Sequence, residues 1–284
     1  MMRPTKKRGR PLNRGHVLSV TVAIAVMTIR PTITDAQHER YMGEAYFEST
    51  MDHYQMGNYE KAAKGYLRFL AFAPHDFNGH YLLAHCLRYL GDPQRAAEYY
   101  EKALAIKGGD VDAHLYAADM YRVLGKFDDA LRHYQAAGRL LPDDPDPKSG
   151  IALVHLGRGE YNEAEKGFRA VLNKAPTHTQ SLRGMALLGA ARGDRAKAME
   201  LFEQALTAGG GDVETCTAVG DFLRKEDPAM AAEYYRKALE RRPDNPAICR
   251  ALGETLQALG KTAEAAPCLK RAEERETFLR SLKN

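Results

Sequence analysis

Small and apolar positions along this chain recur every 34 residues. An alanine followed four residues later by an aromatic marks one helical face five times in register: Ala62/Tyr66, Ala96/Tyr100, Ala130/Tyr134, Ala164/Phe168 and Ala198/Phe202. Residues four apart on a helix stack on the same side, so each pair predicts a helix that is thin at the alanine and bulky at the aromatic. Five residues before each alanine stands a glycine (Gly57, Gly91, Gly125, Gly159, Gly193). A glycine there permits backbone angles that a side chain penalises, and so predicts a tight turn from an antiparallel helix upstream. The register slips by one residue and resumes with Ala231/Tyr235 and Gly260/Ala265/Leu269. Pro74, Pro142, Pro176 and Pro243 end the second helix of a pair because proline lacks the N–H that continues the ladder, and Gly108 and Gly210 take that place elsewhere. Asp76, Asp110, Asp144, Asp212 and Asn245 are placed to cap the helices that follow. A fixed period of this length, without strand-like segments, predicts an all-α solenoid.

The residues at fixed register resemble the tetratricopeptide repeat family: Leu90-Gly91 and Leu124-Gly125 at the turn, Ala96 and Ala130, Tyr100 and Tyr134, Ala103 and Ala137, then Pro142. Seven repeats are read, beginning near Gly43, Phe77, Val111, Pro145, Thr179, Val213 and Pro246. The resemblance implies a right-handed superhelix of antiparallel helix pairs, with a concave groove lined by the first helix of each pair. Two departures stand out. The tryptophan frequent early in the family's repeat is replaced by Tyr46, His80, His114, Lys148, Leu182, Cys216 and Cys249, and the sixth repeat is one residue short around residues 225–228 and lacks the turn glycine.

Residues 1–36 differ in kind and are read as a leader, residues 37–276 as the repeats, and residues 277–284 as the end of a terminal helix that covers the open face of the stack. Six basic residues from Arg3 to Arg14 precede an apolar run at residues 17–29, and Ala36 offers a cleavage point. This order describes an export signal, giving a periplasmic or secreted protein. Thirteen helical residues span about 20 Å against a hydrocarbon core of about 30 Å, so an uncleaved inner-membrane anchor is the second reading. The third is a cytoplasmic adaptor held on DNA, since Lys7-Arg8-Gly9-Arg10-Pro11 resembles an AT-hook. The leader carries seven Lys/Arg and one Asp out of a net charge of +4, so the repeats themselves are slightly acidic. They lack the counterion-release drive of a nucleic-acid surface.

No catalytic residue, metal or cofactor is expected. Cys86, Cys216, Cys249 and Cys268 show no CxxC spacing, the histidines form no HExxH, and Gly209–Gly211 is not followed by a phosphate-binding Lys-Ser/Thr. His80 and His114 read as packing residues, and Cys216 and Cys249 as small buried ones. Through the resemblance, the groove positions most suited to a protein or peptide partner are Phe47, Tyr54, Tyr81, His85, Arg88, Asp119, Arg122, Arg183, Arg224 and Arg250. The first two repeats are aromatic there, and Arg88, Arg122 and Arg224 form a ladder suited to carboxylates or backbone carbonyls. The Lys and Asn that grip acidic chaperone tails in one branch of the family are absent from the corresponding positions.

Overall fold

The computed structural model describes residues 35–243 and 245–282. The readings made for residues 1–34 (signal, anchor and AT-hook-like segment) lie outside the described residues. Residues 43–284 form one compact unit. Among the described residues there are fourteen α-helices and no strand: α1 Asp35–Gln55, α2 Tyr59–Phe72, α3 Phe77–Tyr89, α4 Pro93–Ile106, α5 Val111–Val123, α6 Phe127–Leu140, α7 Pro145–Gly157, α8 Tyr161–Leu172, α9 Thr179–Ala191, α10 Arg195–Ala208, α11 Val213–Leu223, α12 Pro228–Arg241, α13 Pro246–Ala258 and α14 Thr262–Ser281. From Gly43 onward they stack as an α-solenoid of helix pairs. None is long and apolar enough to cross a membrane.

The turn glycines adopt positive φ, from +71° at Gly125 to +83° at Gly91. The five predicted caps each accept a backbone N–H in the first turn, as Asp110 does from Ala113 at 3.0 Å. Sequence reasoning missed the cap of α9, which is His178: its Nδ1 accepts the Ser181 N–H. In the sixth repeat the missing residue is absorbed by α11, which has 11 residues where α5 and α9 have 13. The turn closes through the Asp227 N–H on the Leu223 carbonyl at 2.8 Å, and Tyr235 is still fully buried beyond it.

The positions that depart from the family's tryptophan do more than fill space. His80 and His114 donate from Nε2 to the carbonyls of Pro74 and Gly108, and Lys148 donates to Pro142. The thiols of Cys216 and Cys249 point at the Gly211 and Pro243 carbonyls. Each donor serves a carbonyl of the loop just before its own helix, and at Pro243 the Arg271 guanidinium donates as well. The four cysteines are free thiols, with Cys216 and Cys249 buried as expected.

Aromatic residues of the second helices fill the joints between repeats. Tyr134 lies against Gly150 of α7 and Phe168 against Gly184 of α9, both rings almost completely buried. Alanines at the crossings, such as Ala96 and Ala130, are also fully buried.

The terminal helix does not simply cover an open face. α14 packs along α13, but its last turns lie against the first two repeats. Arg275 pairs with Glu60 at 2.6 Å, Lys64 sits over the Phe278 ring at 5.1 Å, and Arg95 donates to the Leu279 carbonyl at 2.8 Å. Arg242 lies over the Tyr89 ring, and Gly91 is so near Pro246 that a β-carbon there would sit 2.7 Å from the proline ring. The two ends of the array therefore meet along a seam.

Candidate functional site: a tyrosine-lined recess

The predicted groove residues separate into three groups. Phe47 is committed to packing, against Tyr66 and Phe69 at ring distances of 5.8 and 5.0 Å. The arginines of the later repeats are held by acids: Arg122 by Asp119, Arg183 by Asp212, Arg224 by Glu254 and Arg250 by Glu276. Asp119 also accepts the Tyr134 hydroxyl at 2.6 Å, and Arg183 donates to Thr215 at 3.2 Å. These arginines are thus largely structural: Arg122 pairs within α5, and Arg183, Arg224 and Arg250 brace their helices against neighbouring segments.

The third group forms a recess. The His85 ring on α3 is surrounded by Tyr81 and Tyr116 at 4.6 Å, Tyr100 at 5.7 Å, and Tyr89 and Tyr54 at 6.4 and 6.5 Å. His85 is only 7% exposed, and among the described residues neither of its ring nitrogens has a hydrogen-bond partner. One turn along α3, Arg88 stacks between Tyr89 at 4.5 Å and Tyr116 at 4.8 Å. Its Nε is likewise buried and unpartnered, and no carboxylate pairs with it among the described residues. Burial, with a contribution from the Arg88 charge, drives the His85 pKa down to about 3, so the imidazole is neutral at pH 7. Burial pushes the Tyr54 hydroxyl up to about 12 and raises Tyr81 and Tyr116 as well. Buried polar atoms left without partners are unusual in folded proteins and call for an explanation. Here a neutral imidazole offers one donor and one acceptor beside an arginine that feels the Asp119 charge without a carboxylate at contact distance and whose Nε has no partner among the described residues. The His85 ring nitrogens and the Arg88 Nε are closed to solvent in this conformation, so a peptide's backbone groups or acidic oxygens would reach them only once the tyrosine rings shift, while the half-buried tyrosine faces supply area at once.

Tyr116 was not among the predicted site residues. Its signal was present nonetheless, because it occupies the register that holds Gly150 and Gly184 in the next two repeats. The exchange of glycine for tyrosine projects a ring to the side where later repeats have none.

Two other polar clusters are structural. Asp146, His178 and Ser181 follow one another at 2.9 Å steps in a serine–histidine–acid order. Ser181 is fully buried, however, and its hydroxyl meets Ser149 at 3.0 Å, so no substrate reaches it. The second cluster binds α4, α5 and α6: His133 Nε2 reaches Glu101 at 2.9 Å, and its Nδ1 meets His114 Nδ1 at 2.9 Å. Arg132 and Tyr121 also donate to Glu101. The hydrogen bond from His133, reinforced by Arg132, lowers the Glu101 pKa to about 2. A carboxylate depressed in this way stabilises the fold above its unfolded pKa and loses that contribution as pH falls from about 4.5 toward 2. Glu101→Gln is therefore expected to lower the melting temperature at pH 7 and to flatten its decline between pH 5 and 2.5. An unchanged decline, followed by circular dichroism, contradicts the assignment.

A solenoid of stacked helix pairs is the architecture of protein-interaction scaffolds, and the aromatic cluster around His85 lies on its first helices. Sequence models agree: the tetratricopeptide repeat model matches residues 124–188 and 222–278, and that of anaphase-promoting complex (cyclosome) subunit 3 matches residues 55–137. The chain belongs to the tetratricopeptide repeat family. Among solved structures, a tetratricopeptide repeat protein from Parabacteroides merdae ATCC 43184 is 20% identical with a TM-score of 0.51, covering 85% of this chain and 97% of its own. MamA from Desulfovibrio magneticus RS-1 (residues 41 to the end) is 16% identical, also with a TM-score of 0.51, covering 62% of this chain and 97% of its own. At these identities the likeness is one of fold. Comparison with curated proteins gives no match.

Proposed function

We propose that this chain is a non-catalytic scaffold exported to the bacterial envelope, where it holds a component of a multi-protein assembly such as a secretion, pilus or polysaccharide machine. The partner would bind through a peptide or helix seated in the tyrosine-lined recess of the first three repeats. The observation that carries this reading is a set of polar atoms without partners, the two His85 ring nitrogens and the Arg88 Nε, buried among five tyrosines. Export rests on the order of basic and apolar residues in the leader, and N-terminal sequencing of the mature chain tests it. A chain beginning near Gln37 outside the cytoplasm is expected. An intact leader in a cytoplasmic pool contradicts it.

Tyr81→Ala combined with Arg88→Ala tests the recess. Interface aromatics and arginines commonly cost about 2 kcal/mol or more on truncation, roughly a thirtyfold loss of affinity each. Capture of the partner should fall accordingly, with helical content retained. Ala96→Leu is the control: at a fully buried helix crossing it should destabilise the fold by about 1–3 kcal/mol wherever the partner sits. Undiminished capture by the Tyr81/Arg88 variant moves the binding face elsewhere.

A further inference from the structure

The seam between the two ends points to a second interaction surface, separate from the recess. The slot bounded by α2, α3 and α4 is walled by Leu67, Leu83, Leu87 and Tyr99, and Leu282 enters it. Its rim carries Arg95, whose guanidinium is oriented by Asp92 at 2.6 Å and donates to the carbonyl of Leu279. Carbonyls in the last turn of a helix have no intrahelical donor, so this arginine reads the C-terminal end of a helix. Glu60 meets a base at Arg275, one turn before Phe278. The slot is thus specified for an amphipathic helix with an apolar Phe-Leu-x-x-Leu ending and a base three residues ahead of the Phe.

The resident packs Phe278, Leu279 and Leu282 against the core of the first repeats but leaves part of the slot open. A cavity of about 400 Å³ is bounded by Leu282 and the slot walls, and another of about 360 Å³ opens on the seam between Tyr59, Tyr89 and Arg242. The repeat joints, by contrast, bury their aromatics completely. A tethered segment competes at an effective concentration of about millimolar, so a few partly buried contacts are enough to keep it seated and too few to make it irreplaceable.

We infer that the slot between α2, α3 and α4 is a docking site for the C-terminal amphipathic helix of a protein partner, and that the end of α14 is an internal occupant which such a helix displaces. Displacement opens the seam without unfolding the repeats. The inference does not depend on what occupies the tyrosine recess.

The probe is a fluorescent peptide of residues 268–284, followed by anisotropy against the full chain. Phe278→Glu with Leu282→Glu disables the resident, and this variant should bind the peptide at least tenfold more tightly than the wild type does. Adding Arg95→Ala should weaken that binding at least fivefold. Equal binding by the wild type and the double variant, or none by a helical double variant, overturns the inference. If the double variant loses helix, Glu60→Lys decides instead. That chain should prefer a peptide carrying Arg275→Glu over the native peptide by tenfold or more, and the absence of such a preference overturns the inference. A concentration-dependent wild-type dimer that Arg95→Ala abolishes assigns the slot to a second copy of the chain, and also overturns it.

Discussion

Gly184→Ala is expected to destabilise the protein sharply, although alanine is ordinarily the better helix residue. A β-carbon at this position would lie 2.3 Å from Cζ of Phe168, a ring that is fully buried at the joint between the fourth and fifth repeats. The ring cannot turn aside within a close-packed joint, so either it or the helix must shift. Overpacking of this kind costs about 1–3 kcal/mol and at times more, against a gain of about 1 kcal/mol in helix propensity. With a contact as short as 2.3 Å the cost lies at the upper end of that range, and a net loss of about 1–2 kcal/mol is expected. In a solenoid each repeat leans only on its neighbours, so loss at one joint also weakens coupling between the two halves. Phe168→Leu, harmful alone, should recover part of the loss when combined with Gly184→Ala. Chemical denaturation of the four chains measures this directly. A Gly184→Ala chain that is more stable than the wild type contradicts the packing described for the joint.

The second large effect is one of pH. His85 has a folded pKa of about 3 against 6.5 for the free side chain, so between those values the unfolded chain binds a proton that the folded chain refuses. Stability therefore rises with pH through this window and is level above it. Between pH 7 and pH 5 the loss attributable to His85 is about 2 kcal/mol, and across the whole window it reaches about 5 kcal/mol. Glu101 does not interfere between pH 5 and 7, because both its folded and unfolded pKa lie lower. His85→Phe should retain the ring packing and show a slope smaller by about 2 kcal/mol over pH 5–7, read from urea unfolding at each end. Identical slopes in wild type and variant would mean that His85 is hydrated or paired, and the recess would lose its unpartnered acceptor.

How much was legible in the sequence follows the physical range of each interaction. The helix pairs, turn glycines, proline stops and five caps are local and repeat, so each is seen several times at one register. The aromatic Tyr134 against Gly150 is a contact between neighbouring repeats, and its periodic partners made it readable too. His178 escaped because its ring stands in for the carboxylate used elsewhere. The role of His80, His114 and Lys148 as donors to loop carbonyls escaped for a different reason: residues so unlike in size share only an N–H. The arginine positions were visible, but apart from Asp119, three residues before Arg122 on the same helix, their acids lie on other helices or in the loops between them, about 30 residues away for Arg224 and Glu254. Only three-dimensional placement separates Arg88 from the braced ones. The seam was not legible at all. Arg95 and Leu279 are 184 residues apart and meet once, so no period announces them.

The claim at the centre of this account is that the tyrosine recess receives the partner. Site-specific photo-crosslinking in the native host tests it most directly, with p-benzoylphenylalanine placed at Tyr81 or Tyr116, or at Met230, a 45% exposed side chain on α12. The account predicts one common crosslinked partner from the two recess positions, lost when Arg88 is replaced by alanine, and none from Met230. The same partner captured from Met230 and from neither recess position would contradict it.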